Sequence, residues 1–161
     1  MSQATLEALY AAFNHLDADA MAACYAEDAE FDDEAFSLRG KREVAGMWAM
    51  LCSAVKAQGA KDWELRVGPI GPNTAHWEPI YRFSATGRMV HNKIDSQFEF
   101  NAQGLIRKQC DRFDFWAWSR QALGAPGLLL GWSGFLRQKV RKQARGNLER
   151  FLAKGAGAVK A

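Results

Sequence analysis

The sequence predicts one α+β domain in which helices cover one face of a curved antiparallel sheet, with a helical extension at its C-terminal end. Three observations predict it. Residues 4–58 carry apolar side chains mostly at helical spacing, residues 62–116 alternate with the period of a strand, and turn-forming residues punctuate the second half. A chain of 161 residues with 48% hydrophobic and 24% charged side chains can bury one core, which argues against a disordered or fibrous protein.

The elements follow in order. Leu6, Leu9, Tyr10 and Phe13 form one helical stripe over 4–15, and Asp17 or Asp19 can cap a second helix carrying Met21, Cys24 and Tyr25. The segment 29–33 alternates, with Phe31 and Asp33 on one side, and reads as a brief strand leading into a loop that ends at Gly40. From Lys41 to Gln58, Val44, Met47, Trp48, Leu51 and Val55 define an amphipathic helix stopped by Gly59. Four strand-like segments then run over 62–70, 75–85, 88–100 and 105–116, separated by Gly71-Pro72-Asn73, Thr86-Gly87 and Ala102-Gln103-Gly104.

A two-residue turn at Thr86-Gly87 would pair Tyr81 with Asn92, Phe83 with Val90 and Trp77 with Ser96 on one face. Ile94, Phe98 and Phe100 share that face, and on the last strand the matching set is Leu105, Asp111, Phe113 and Phe115. Asp111 is therefore expected to point inward among aromatic rings. The opposite face collects His76, Glu78, Arg82, His91, Lys93, Glu99 and Arg112, a mixed-charge surface suited to solvent or to a second subunit; a bulge would leave the side of Asp95 open.

An inward carboxylate needs hydrogen bonds or a raised pKa, and both conditions occur at acid–base sites. Asp111 is the leading candidate, against the alternative that it ties the sheet to the helices. Tyr81, Asn92 and Ser96 could orient it or donate to a substrate oxygen, with Trp77, Phe98 and Phe113 lining an apolar pocket. Asp33 is the second candidate, because two carboxyl groups in different surroundings can divide acid and base roles; a solvent-exposed acidic turn is its alternative. Tyr10 reads as packing.

Other chemistries find no support. His15, His76 and His91 lack metal-ligand spacing, and neither a P-loop nor a GxGxxG occurs, so no metal and no cofactor is expected. The three cysteines (Cys24, Cys52, Cys110) form no CxxC, and with no secretory signal at the N-terminus the expectation is a reducing, cytoplasmic setting.

The tail differs in kind. From Arg137 onward eight Lys/Arg face one Glu, leaving 13 cations against 17 acids before it, so a body of −4 carries a tail of +7. Leu136, Val140, Ala144, Leu148 and Leu152 recur every four residues, after an apolar, glycine-rich run from Leu123. Packing against the body or a second subunit is the first reading of this stripe, and an anionic membrane surface the second. No nucleic-acid motif is present. The last residues, 155–161, are small and expected to fray.

The order of elements, with AAFNHLDADAMAACYAEDAEFDD (11–33) and TGRMVHNKIDSQFEFNAQGLIRKQCDRFDF (86–115), resembles the nuclear transport factor 2-like superfamily of ketosteroid isomerases, limonene epoxide hydrolases and SnoaL-like polyketide cyclases. The resemblance implies its cystatin-like, cone-shaped fold over 1–117, with 118–161 as an extension of the same domain. Asp33 falls where the isomerases keep their proton-shuttling base, and Asp111 where hydrolases and cyclases keep a catalytic Asp. The departures are specific: the isomerase's helix tyrosine falls near Leu9, beside Tyr10, and its second acidic donor near Ser96, beside Asp95. An Arg and an Asp of the epoxide hydrolases fall on Trp77 and Pro79, so that triad is absent. The implied protein binds a small hydrophobic carbonyl- or ring-containing ligand, forms a homodimer, and acts as a cofactor-free isomerase, cyclase or lyase. The alternative is a non-catalytic binding or dimerisation module whose basic C-terminal helix meets a partner or membrane surface.

Overall fold

A computed structural model describes residues 2–158, with side chains through residue 155. The chain runs α1 (Ser2–Asn14), α2 (Ala18–Ala22), β1 (Tyr25–Asp32), β2 (Ser37–Arg39), α3 (Lys41–Ala57), β3 (Glu64–Ile70), β4 (Thr74–Arg82), β5 (Met89–His91), β6 (Ile94–Phe100), β7 (Ile106–Arg112), α4 (Phe115–Leu123), α5 (Ala125–Leu130) and α6 (Gly134–Ala158).

The α+β class and α1 stand as read, but α2 stops at Ala22, so Cys24 lies beyond it and Tyr25 opens β1 four residues before the strand expected at 29. Asp17 caps α2 by accepting from the Ala20 N–H at 3.0 Å. Gly59, at φ +82°, takes the left-handed position that ends α3. The sheet is open and curved, in the order β2-β1-β7-β6-β4-β3, with β5 also on β4. One pairing corrects the purely antiparallel expectation: β1 runs parallel to β7. A parallel neighbour needs a long crossover, and here the connection is most of the domain, which local turn signals cannot reveal. Loop 34–40 also hides a strand, because β2 folds back on β1.

The β4 hairpin differs by two residues from the two-residue turn. Tyr81 pairs with Val90 and Trp77 with Ile94, while Ala75 faces Ser96. The Phe83 N–H donates to the Arg88 carbonyl, making the loop Ser84–Gly87 four residues long. A shift of two preserves which face each side chain takes, so the inward set survives. Pro79 splits the third segment: the Asn92 N–H donates to its carbonyl, but proline has no N–H to return. A register shift beside Ile106 turns that side chain inward in place of Leu105, and Phe115 belongs to α4 instead of the last strand. The 117/118 line thus falls inside α4.

The core lies between α1, α3 and the concave sheet face. Phe13, Trp48 and Trp77 form its aromatic centre, with ring centroids 5.1 Å (Phe13–Trp48), 5.6 Å (Phe13–Trp77) and 6.3 Å (Trp48–Trp77) apart. The α6 stripe packs as read: Leu136 and Leu148 are buried, and Ala144 and Leu152 join the main core. Residues 155–158 continue that helix, and the rest of the stretch expected to fray lies outside the described residues.

α4 and α5 meet through Gly127, where an added methyl would fall on the Ser119 carbonyl, 2.7 Å from the Arg120 nitrogen. Backbone cannot yield as a flexible side chain can. Gly127→Ala is therefore expected to destabilise the protein by about 2 kcal/mol, read as a lower urea midpoint. An unchanged midpoint would mean that α4 and α5 do not pack this closely.

Candidate acid–base site

Asp111 sits on β7 directly opposite Ser96 on β6, and its side chain is buried as its parity with Phe113 required. Two donors converge on its Oδ1: the Ser96 hydroxyl at 2.5 Å and the Gln109 Nε2 at 2.9 Å. Each is held from behind. Trp77 Nε1 donates to Ser96 Oγ at 2.8 Å, the Tyr25 hydroxyl to Gln109 Oε1 at 2.6 Å, and Trp48 Nε1 to the Tyr25 oxygen at 2.9 Å. Two indoles, a phenol, a carboxamide and an alcohol thus form two chains of donors that meet on one oxygen of the carboxyl group.

Burial pushes the Asp111 pKa from 3.8 up to about 7, against the opposing pull of its two hydrogen bonds; the charge of Asp33 pushes it further up. Near neutrality the group is present in both protonation states. It can therefore accept a proton or give one without leaving the working pH range.

Asp33 ends the β1–β2 hairpin. Its Oδ1 accepts from the Ala35 and Phe36 N–H groups at 2.7 and 2.6 Å, closing the turn that lets β2 return. The carboxyl is nonetheless desolvated, which raises its pKa to about 6 despite those bonds and the nearby Arg141 charge. The Asp33 charge reaches Asp111, so Asp33 carries a structural role in the turn and an electrostatic one toward Asp111.

The remaining candidates divide. Ser96 and Trp77 belong to the network, and Phe98 is buried beside Phe100, ring centroids 6.2 Å apart. Phe113 joins the main core to a second apolar cluster built on α4. Tyr81 stands in that cluster, where its oxygen accepts from Trp118 Nε1 at 3.0 Å and its hydroxyl feels the Asp33 charge. The side-chain oxygen of Asn92 is turned to the Lys93 N–H at 3.1 Å. The hydrogen bonds of Tyr81 and Asn92 therefore do not converge on Asp111. Asp95 faces outward, 2.8 Å from His76, which also meets Glu78 at 3.0 Å. Cys24 and Cys52 are buried with raised pKa values, as small apolar side chains would be.

Sequence reasoning missed Gln109 and Tyr25, both fully buried. It also read Tyr10 as packing, yet its hydroxyl is buried with no hydrogen-bond partner among the described residues. Burial and the Asp111 charge raise its pKa well above the tyrosine norm, with Ser96 acting in the opposite direction. An unpaired hydroxyl beside a titrating carboxyl is a donor awaiting an acceptor.

A recess of about 10 Å³ lies between Val55, Gln58, Trp63, Tyr81 and Arg82, and a groove of about 450 Å³ runs over Asn73, Gln97, Glu99, Lys108 and Arg112. Asp111 lines neither of them.

Residues 6–109 match a family model described as a SnoaL-like domain. An epoxide hydrolase of the limonene epoxide hydrolase-like type from M. tuberculosis is similar in structure, with a TM-score of 0.55 and 21% identity over 80% of this chain and 92% of that one. A protein described as a polyketide cyclase from Silicibacter sp. is similar with a TM-score of 0.52 and 19% identity, over 73% and 91% of the two chains. These likenesses carry the fold. A search of curated proteins finds no match.

Proposed function

Because this chain belongs to the SnoaL-like domain family, within the nuclear transport factor 2-like superfamily, we propose that it is a cofactor-independent acid–base catalyst acting on a small apolar carbonyl compound. The observation that carries this reading is the buried, doubly hydrogen-bonded Asp111 with its pKa raised to about 7. As a base it would take a proton from the carbon next to the carbonyl; the enolate oxygen would accept from the Tyr10 hydroxyl, and the same carboxyl would return the proton to another carbon of the conjugated system. Asp33 would hold the carboxyl proton affinity high. The mixed-charge outer face of the sheet would serve a homodimer.

Incubating the protein with a small β,γ-unsaturated cyclic ketone in deuterated water tests this directly. Conversion to the conjugated isomer with most of the migrating hydrogen retained from the substrate is expected for the wild type, and a loss of at least about a thousandfold for Asp111→Asn. Equal rates in the two proteins would reject the reading. Tyr10→Phe is expected to slow conversion while leaving stability unchanged or raising it by about 1 kcal/mol, since it removes an unpaired buried hydroxyl. A Phe variant that is clearly less stable would instead assign Tyr10 to structure.

That Asp111 lines neither described recess supports a second reading, a non-catalytic module in which the network fixes β6 to β7. Absence of turnover by a folded wild-type protein, together with the stability effects below, favours it.

A further inference from the structure

The α6 stripe finds its partner within the domain, but the apolar run before it does not. Leu129, Trp132 and Phe135 are 68%, 76% and 70% exposed, and Trp116, Leu128 and Leu130 extend the patch. Contiguous exposed apolar surface of this kind marks an interaction site.

The segment that carries these side chains is held to its neighbours. Gly127 is pressed against the α4 backbone, Trp116 Nε1 donates to the Leu128 carbonyl at 3.2 Å, and Trp132 Nε1 donates to the Leu129 carbonyl at 2.9 Å. Ion pairs from Arg137 to Glu34 (3.3 Å) and from Arg145 to Glu43 (2.7 Å) tie α6 to the body. The knuckle is displayed on a fixed frame.

Its charge surroundings select the occupant. Residues 115–148 contain six Lys/Arg and no Asp or Glu; Arg137 and Arg145 are paired with acids, which leaves Arg120, Lys139, Arg141 and Lys142. Exposed Lys139 and Lys142 follow Phe135 at spacings of four and three, which puts all three on one side of α6. A second copy docking by the same patch would bring cations against cations, whereas a negatively charged lipid surface would neutralise them. Leucines and an indole ringed by Lys and Arg suit the boundary between headgroups and acyl chains. No helix among the described residues is long and apolar enough to cross a membrane, so the contact is made from one side.

We propose that α5 and the start of α6 form a peripheral docking site for an anionic lipid bilayer. The α6 stripe packs inward, and the preceding turn inserts. This surface stands independently of the acid–base reading.

Co-sedimentation of the full chain with phosphatidylcholine vesicles, with and without phosphatidylglycerol, tests it. Binding is expected to be at least about tenfold stronger on the anionic vesicles and to weaken with added salt. Leu129→Asp and Trp132→Asp, at exposed positions that leave the fold intact, should each reduce it about tenfold. The double variant Lys139→Glu, Lys142→Glu should remove the preference for anionic lipid. No binding, or equal binding to neutral vesicles, would overturn the proposal. So would a dimer in light scattering that Leu129→Asp dissociates, because the patch would then belong to a second copy.

Discussion

Asp111→Asn is expected to lose most of the pH dependence of stability that the wild-type protein shows between about pH 4 and pH 7. In the folded state the carboxyl keeps its proton up to about pH 7, whereas the unfolded chain releases it near 3.8. The folded state therefore binds more protons across that interval, and stability falls as the pH rises through it. About three pKa units correspond to a loss on the order of 4 kcal/mol, complete above the folded pKa and absent below the unfolded one. Asparagine keeps the shape, and its carbonyl oxygen can receive both the Ser96 hydroxyl and the Gln109 amide. The variant should match the wild type near pH 4 and exceed it at pH 8, retaining the slopes due to Asp33 and to His76, whose pKa is raised by Glu78 and Asp95. Urea midpoints across that range check this, and parallel curves for the two proteins would refute it.

Gln109→Leu is expected to destabilise the protein by about 3 kcal/mol, although leucine nearly conserves volume. The glutamine is fully buried, accepts from Tyr25 at 2.6 Å and donates to Asp111 at 2.9 Å. Leucine does neither. The Tyr25 hydroxyl would be left with Trp48 as donor and no acceptor, and Asp111 would lose one of the two bonds that favour its charged form. The Asp111 titration should therefore move further up while the urea midpoint falls. A variant within about 0.5 kcal/mol of wild type would show that the network holds nothing together.

The inward position of Asp111 was legible because period two survives errors that register does not. Four residues in the Ser84–Gly87 loop, where two were expected, displaced every β4 pairing by two, yet Trp77, Ser96 and Asp111 kept their face. The register shift beside Ile106 moves by one, and there the reading failed, exchanging Leu105 for Ile106. Gln109 shares parity with Asp111 and could have been found; its usual preference for water hid it. Phe115 continued an apolar alternation past the end of β7, although Asp114 carried the signal of a helix start, its side chain accepting from the Ala117 N–H at 3.0 Å. Two features had no local signal. The parallel β1–β7 pairing and the electrostatic effect of Asp33 on Asp111 join residues far apart in the chain, so only the closed fold produces them.

The α6 stripe and the exposed knuckle show the same division between pattern and placement. Spacing of four identified Leu136, Leu148 and Leu152 as one face, and that face is packed. Leu128 to Leu130 are as apolar but sit on a six-residue helix whose buried contact is made by Gly127, and composition alone does not reveal which side of so short an element is covered.

Carbon-13 NMR titration of the Asp111 carboxyl, assigned by its absence in Asp111→Asn, tests the central claim most directly. A midpoint close to 7 is predicted from its burial behind Ser96 and Gln109. A midpoint near 4, the range of an aspartate in water, would contradict the account of a desolvated acid–base group.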